Sequence, residues 1–363
     1  MTFILDSIIG MVACLGLFYQ LKKLNSNKAE KITQYPSISM IIPARNEEKT
    51  LPCLLSSLQS QKNLLKEIIV VDDHSHDRTK EMAASFGVTV IEALNKDDSW
   101  VGKSYACLKG SEVASGDVYL FVDADTVFAD GALSKLIKTY MGINGVLSLQ
   151  PYHRVTKWFE QCSLYFNLIL VGGMHSFSCF SNAETAIGLF GPLIMIDAKL
   201  YKQIKGHESV KDKVIEDLAL GQVLKQNKIK LYNYIGYDSI SFKMYDHVGA
   251  LIEGWTKNFA LGAKTTNIRL FLMTFIWITQ SLSVFFNLVN HLISHKPFGI
   301  ILLFYILYVG QLYFISKQLG SFKHVVLVMY PIYILIFIAI FIYSSIKTFI
   351  FKKVNWKGRP IKV

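Results

Sequence analysis

Three acidic clusters recur at long intervals in the first two-thirds of this 363-residue chain: Asp72-Asp73, Asp123-Ala124-Asp125 and Glu216-Asp217. Carboxylates take protons, read N–H and hydroxyl groups, and hold hard cations. The first two clusters each end an apolar run, Ile68-Ile69-Val70-Val71 and Val118-Tyr119-Leu120-Phe121-Val122. Runs of that length and type are expected as buried strands, and carboxylates at the carboxyl ends of parallel strands converge on one crevice. So much negative charge in one place suits a divalent cation, which in turn holds a phosphate. The chemistry implied is that of a metal-dependent enzyme with a nucleotide-activated substrate.

The elements that must position these groups follow from the pattern of residues 36–150. Strands are expected at 37–43, 67–73, 88–91 and 117–122. Between them fall helices near 77–86, closed by Gly87 as a C-cap, and 103–115, stopped by Gly116. Asn46 is expected to cap a further helix starting at Glu47-Glu48, whose carboxylates suit a helix N-terminus. This βαβα order implies a parallel sheet with helices on both faces. Glu216-Asp217 opens a helix over 218–226, and such a pair is also what a dipole-stabilised helix start looks like on its own.

Charge and hydropathy divide the chain. The formal net charge is +11, yet no Asp or Glu follows Glu253 while twelve Lys or Arg do; residues 1–253 are close to neutral, with 26 basic and 27 acidic side chains. Basic charge among apolar segments points to anionic lipid headgroups, and no nucleic-acid recognition module is visible. Residues 3–21 are apolar apart from Asp6 and Gln20, and Lys22, Lys23, Lys28 and Lys31 follow. Positive charge after the apolar run is the reverse of a cleaved signal peptide. It predicts a transmembrane anchor over residues 1–23 with the catalytic region in the cytoplasm. Further apolar segments near 270–293, 298–316 and 325–346 each approach the ~20 residues that cross a bilayer.

Three crossings from the cytoplasm would leave the tail outside, whereas its Lys347, Lys352, Lys353, Lys357, Arg359 and Lys362 favour the cytoplasm. A cytoplasmic tail is expected, with one segment re-entrant or interfacial. Residues 155–181 mix Trp158, Phe159, Leu164, Tyr165, Phe166 and Phe177 with Gly172-Gly173, and are expected as a helix lying in the membrane interface. The organisation is then an anchor (1–23), a catalytic domain (36–267), membrane segments (268–346) and a basic tail (347–363) in a multi-pass cell-membrane protein. Five scattered cysteines without a C-x-x-C pair imply reduced thiols.

The loops after the strands carry the motifs. They are Pro43-Ala44-Arg45-Asn46-Glu47-Glu48, Val70-Val71-Asp72-Asp73-His74-Ser75, and Val122-Asp123-Ala124-Asp125. Together they resemble the family 2 inverting glycosyltransferases over residues 36–265. The resemblance implies an α/β GT-A domain, the Rossmann-like nucleotide-sugar-binding fold, flanked by N-terminal and C-terminal transmembrane helices. Pro43, Ala44, Arg45, Asn46, Glu47, Asp72 and Asp73 would line the nucleoside pocket. Asp123 and Asp125 match the D-x-D motif, one contacting the ribose or metal and the other holding Mg2+ or Mn2+ against the diphosphate. His74 stands where the family usually has Gly, and His74-x-His76 reads as a solvated loop pair, short of a metal site. Lys103, in Trp100-Val101-Gly102-Lys103, is opposed by a helix dipole and so has another reason to be there. The resemblance places it beside the diphosphate.

In the same way Glu216 and Asp217 match the family's E-D pair, with Asp217 as general base in a single in-line displacement. His207 would line the acceptor side. The Q-x-x-R-W motif of processive relatives is absent from residues 242–258, which implies transfer of one sugar. There Trp255 would stack on the acceptor and Lys257 approach the diphosphate.

The apolar segments point to a lipid acceptor. The whole chain, including Gln150-Pro151-Tyr152-His153 and Trp356-Lys357-Gly358-Arg359, is similar to the branch of the family that acts in staphyloxanthin-type carotenoid biosynthesis. That branch implies glucose transfer from UDP-glucose to the carboxylate of a C30 carotenoid acid. The alternative is hexose transfer to a diacylglycerol, sterol-like or polyprenyl-phosphate lipid. A carboxylate acceptor is already ionised near neutral pH and hardly needs a base. An intact Glu216-Asp217 therefore fits a hydroxyl acceptor, or a pair retained for positioning.

Overall fold

The computed structural model describes residues 2–24, 35–97, 99–351, 353–356 and 359–362. In chain order its first elements are α1 (Thr2–Leu17), β1 (Ile38–Ala44), α2 (Leu51–Leu58), β2 (Glu67–Asp72), α3 (Thr79–Ser85), β3 (Thr89–Glu92), α4 (Ser104–Val113) and β4 (Val118–Val122). There follow β5 (Thr126–Phe128), α5 (Ala132–Met141), β6 (Val146–Gln150), β7 (Tyr152–His153), α6 (Leu164–Gly173), β8 (Leu193–Asp197), α7 (Ala198–Gln203), α8 (Glu216–Gln226), β9 (Leu231–Ile235) and β10 (Ile240–Phe242). Last come α9 (Val248–Thr265), α10 (Ile268–Ile293), α11 (Gly299–Leu319), α12 (His324–Val328), α13 (Tyr330–Ser345), β11 (Lys353–Trp356) and β12 (Arg359–Lys362). The chain forms two compact units. One comprises Lys22–Arg154 and Ala186–Met244, the other Met1–Leu21, Val155–Thr185 and Tyr245–Val363.

The first unit is built on a seven-stranded sheet of order β3-β2-β1-β4-β8-β6-β9. Side chains alternate between its faces, as the pleat requires. Met40, Ile42, Val70 and Leu120 pack with Leu54, Leu58 and Leu136 of α2 and α5. Ile41, Ile69, Val71 and Phe121 pack with Ala106, Leu220 and Leu224 of α4 and α8. Each such buried Val, Leu, Ile, Phe or Met side chain contributes about 1.5–3 kcal/mol. Gly110 lets α4 lie close on the sheet, since a Cβ there would be 2.4 Å from Ile41 Cγ2.

The β3-β2-β1-β4 half is parallel, as expected. The rest departs from a parallel sheet, because β8 runs antiparallel to both β4 and β6. Its run Leu193–Asp197 is buried along nearly its whole length. A strand buried on both faces has the same pattern in either direction. A second, small sheet sets β10 between β5 and β7.

Asn46 does not cap a helix. It adopts a left-handed conformation (φ 55°), and its Oδ1 accepts the His76 N–H at 2.9 Å. The helix begins later, at Leu51, with Pro52 in its first turn, where a missing N–H costs nothing.

The second unit gathers α1, α6 and α9–α13. Helices α10, α11 and the run Tyr330–Ile350 are each long and apolar enough to cross a membrane. Leu272, Phe275, Leu303, Ile306, Leu335 and Ile342 are exposed on them, an apolar surface that water does not suit and lipid does. The chain is membrane-associated on this ground. Helix α1 has 16 residues, about 24 Å. It buries Ser7, Gly10, Cys14 and Leu17 and exposes Leu5, Ile8, Val12 and Leu15. A Cβ at Gly10 would sit 2.5 Å from Gln280 Cβ, so the glycine lets α1 lie close against α10.

Within 155–181 the expected interfacial helix is instead an interior one. Leu164, Tyr165, Phe166, Asn167, Leu168, Val171 and Gly172 of α6 are all buried. The interrupted apolar pattern reflects burial on several sides; of its aromatics Trp158 and Phe180 stand well out. Lys28 and Lys31, which the anchor reading used, lie outside the described residues.

Candidate active site

The strand ends of the first unit build the site. Ala44 of β1 pairs with Asp72 of β2, and Asp72 with Glu92 of β3. The loop after β1 is laced to the loop after β2. The buried Arg45 guanidinium donates to the Asp73 carbonyl at 2.6 Å and the His74 carbonyl at 3.3 Å. The Asn46 N–H donates to Ser75 Oγ, the Glu47 N–H to Thr79 Oγ1, and the Glu48 N–H to Asp77 Oδ2. Burial opposes ionisation of Asp77, but donors from Thr79 and Glu48 hold its carboxyl below the usual range. His74 takes φ 56°, a left-handed turn that Gly adopts more easily. Asp72 accepts the Ser75 N–H through Oδ2 at 3.2 Å. Its other oxygen, Oδ1, is buried with no hydrogen-bond partner among the described residues. A buried acceptor in that state invites a donor from a ligand. Asp73 pairs with Lys96 at 3.3 Å, and Lys96 also donates to the Gly102 carbonyl at 3.1 Å.

Asp123 follows β4, and Asp125 lies between it and β5, whose Thr126 pairs with Phe242 of β10. The D-x-D segment is therefore held at both ends. Lys103, which caps the N-terminus of α4, reaches Asp123 Oδ1 in an ion pair and the Gly191 carbonyl at 3.0 Å. Glu216 Oε1 is 3.9 Å from the same ammonium. Burial works against the charge on Lys103, yet Asp123 and Glu216 hold it above the ordinary lysine range. One turn on, burial pushes the Cys107 thiol up, so it stays neutral. Glu216 and Asp217 open α8, and Asp217 Oδ1 accepts the Leu218 N–H at 2.8 Å. Gly191 lies against this end of α8, as does Gly188, where a Cβ would be 2.8 Å from Leu218 Cα. Asp123, Lys103 and Glu216 thus form one charged cluster, with Asp217 beside it against Gly191.

Residues 39–161 match the family model described as glycosyl transferase family 2. The chain is 33% identical to a 4,4'-diaponeurosporenoate glycosyltransferase of Staphylococcus aureus (strain bovine RF122 / ET3-1), over 99% of this chain and 97% of that one. It is 36% identical to a protein of the same name from Staphylococcus haemolyticus (strain JCSC1435), over 90% and 89%. The chain belongs to glycosyl transferase family 2. Among solved structures it is similar to glucosyl-3-phosphoglycerate synthase from Mycobacterium tuberculosis in complex with Mn2+, UDP and glucosyl-3-phosphoglycerate. That likeness is 19% identical, covers 64% of this chain and 80% of that one, and has a TM-score of 0.43.

In this glycosyltransferase the donor set of the D-x-D motif fits a divalent ion. Mg2+ and Mn2+ are commonly bound by one or two carboxylates with substrate phosphates completing the shell. Asp123 and Asp125 supply two carboxylates. Among the described residues no group of three His, Cys, Asp or Glu side chains is arranged to hold a metal without such help.

His207 and Trp255 are placed otherwise than the motifs implied. His207 is 1% exposed, its ring 4.9 Å from that of Phe121. Tyr201 Oη accepts the His207 backbone N–H at 3.1 Å and is hydrogen-bonded to its Nδ1 at 2.8 Å. Burial pushes its pKa down to about 4, against a smaller upward effect of Glu216. His207 is a neutral interior group, and it offers no surface to an acceptor. Trp255, on α9 of the second unit, is 1% exposed and stacked on Phe166 at 4.3 Å. Its face is already covered, so it has none for an acceptor. Lys257 lies on the same helix, its side chain outside what the structure describes.

Two residues of the site were not legible in the motifs. Lys96, in a run of polar loop residues, looks like any surface lysine, yet its side chain is 10% exposed. Gly191 carries no chemistry of its own; only the glycine spacing of 188, 191 and 221 hints at close packing.

Proposed function

We propose that this membrane-associated glycosyltransferase transfers glucose from UDP-glucose to the carboxylate of a C30 carotenoid acid, forming a glucosyl ester. What carries the reading is similarity over nearly the whole chain, membrane helices included, to enzymes named for a carotenoid acid. The geometry supports the donor half. The unpartnered Asp72 oxygen and the Arg45–Glu47 loop suit a nucleoside, and Lys103 at the start of α4 suits a diphosphate. Asp123 and Asp125 would hold Mg2+ or Mn2+, which when bound supplies positive charge against the leaving diphosphate.

The acceptor carboxylate, already ionised, attacks the anomeric carbon from the face opposite the diphosphate. The new C–O bond forms as the old one breaks, its electron pair leaves with the diphosphate, and the anomeric configuration inverts. No proton need move, so this acceptor asks no general base of Asp217, and Glu216 faces the Lys103 ammonium at 3.9 Å. With a hydroxyl acceptor Asp217 would instead take the proton. That second reading, a hexosyltransferase to a diacylglycerol, sterol-like or polyprenyl-phosphate lipid, is favoured by one observation: Asp217 opens α8 next to Glu216, which lies 3.9 Å from Lys103. The catalytic unit and basic tail lie in the cytoplasm in this proposal, with the lysines against anionic headgroups.

The test is a transfer assay on detergent-purified protein with Mn2+ or Mg2+ and labelled UDP-glucose, offering a carotenoid carboxylic acid and a diacylglycerol in parallel. An alkali-labile glucosyl carotenoid supports the proposal. Product on the diacylglycerol alone replaces it with the second reading.

A further inference from the structure

We propose that Lys103 is the resident counter-ion of the donor-free site, competing with the divalent ion for Asp123 until a nucleoside diphosphate draws it away. The inference rests on the assignment of Asp123 and Asp125 as metal ligands. Lys103 Nζ is held by three oxygens from three segments: Asp123 Oδ1, the Gly191 carbonyl at 3.0 Å and Glu216 Oε1 at 3.9 Å. Glu216 is 6% exposed. Asp123 is partly exposed, but two carboxylates drawn onto one ammonium repel each other unless that cation lies between them. Lys103 is that cation, at the amino end of α4, where the helix dipole opposes it. Carboxylates must therefore hold it there.

The same carboxylate cannot serve the ammonium and a divalent ion at full strength. Asp123 is half of the D-x-D pair, so Lys103 makes the metal-free state the better one when no donor is present. A diphosphate offers Lys103 a partner of higher charge, releases Asp123, and brings phosphate oxygens that complete the metal's shell. Lys103 thereby couples the two ligands, and by linkage each raises the other's affinity by the same factor. The enzyme then assembles its charged centre only around substrate.

The experiment measures free Mn2+ by electron paramagnetic resonance with the full chain in detergent, titrated without and with saturating UDP. Wild type, Lys103→Met and Lys103→Gln are compared; the glutamine keeps a donor for the Gly191 carbonyl and disturbs the fold less. Without UDP, both variants should bind Mn2+ about tenfold or more tightly than wild type, as expected for removing a cation beside a carboxylate. The enhancement by UDP should shrink in both. Adding Asp125→Asn should remove the gained binding. Equal or weaker Mn2+ binding in both variants without UDP overturns the inference, as does gained binding that survives Asp125→Asn. If wild type with UDP takes up no Mn2+, the metal assignment itself fails, and the inference with it.

Discussion

The Asp217 carboxylate occupies the space that a side chain at Gly191 would need. A Cβ at Gly191 would fall 2.5 Å from Asp217 Oδ2, well inside contact distance, while the Gly191 carbonyl receives Lys103 at 3.0 Å. One backbone position thus sets the carboxylate on one side and the ammonium on the other. Gly191→Ala should displace Asp217, and a misplacement of about 1 Å in a reacting group can cost on the order of a hundredfold in rate. With a hydroxyl lipid acceptor the expected result is a drop in kcat of that order with UDP affinity little changed, read from steady-state kinetics and UDP titration. Wild-type kcat in the variant would show that Asp217 tolerates the shift.

Lys96 joins the donor loop to the turn before Lys103. Its ammonium pairs with Asp73, which is 3% exposed at the side chain, and donates to the carbonyl of Gly102, whose φ of 64° makes the turn. Lys96→Met leaves a buried carboxylate without this partner, a change that costs about 3–5 kcal/mol in comparable buried pairs. A lower thermal midpoint and a raised KM for the nucleotide sugar are expected together. Unchanged donor KM would confine Lys96 to a structural part.

The pH dependence of stability should carry the signature of His207. Its folded pKa, near 4, lies below the ordinary 6.5 because burial disfavours the imidazolium. Between these values the unfolded chain binds a proton that the folded chain does not, so stability rises with pH there. The contribution is fully present above about 6.5 and is lost as pH falls toward about 4. His207→Gln, which keeps a hydrogen-bonding partner for Tyr201, should flatten the fall in thermal midpoint across that window. A variant as pH-sensitive as wild type would assign the dependence to other groups.

The parallel half of the sheet was legible because each strand is a short apolar run ending in polar loop residues, and the acidic clusters sit at those ends. Glu216-Asp217 stands out by residue type, and the helix expected behind it is α8. The antiparallel β8 was not legible, since burial on both faces hides strand direction. Three-residue β5 is too short to carry a period, yet it fixes Asp125. Trp255 and His207 were misjudged for a shared reason: an aromatic or imidazole ring near functional motifs has the same sequence signature whether it faces a ligand or, as here, Phe166 and Phe121. Side-chain direction is a tertiary property, and only packing decides it.

The proposed metal dependence is tested at Asp125, which lies between Asp123 and β5. Asp125→Ala should abolish metal-stimulated hydrolysis and transfer of UDP-glucose while leaving the fold intact. Full stimulation by Mn2+ in the variant would remove the D-x-D assignment.

Asp217→Asn separates the two acceptor chemistries. A carboxylate nucleophile brings its own negative charge, so an amide at position 217 removes no proton acceptor that the reaction needs. A hydroxyl nucleophile must lose its proton as the bond forms, and general-base help of this kind is worth about a hundred- to ten-thousandfold in rate. The variant should therefore bind UDP as wild type does. With a carotenoid acid it should keep most of its rate; with a hydroxyl lipid it should lose activity by that factor. Asparagine keeps the size and the oxygen that accepts the Leu218 N–H, so the start of α8 is preserved and the comparison isolates charge. Equal losses with both acceptors would mean that the negative charge of Asp217 orients the acceptor or opposes build-up of charge elsewhere, and the base assignment would fall.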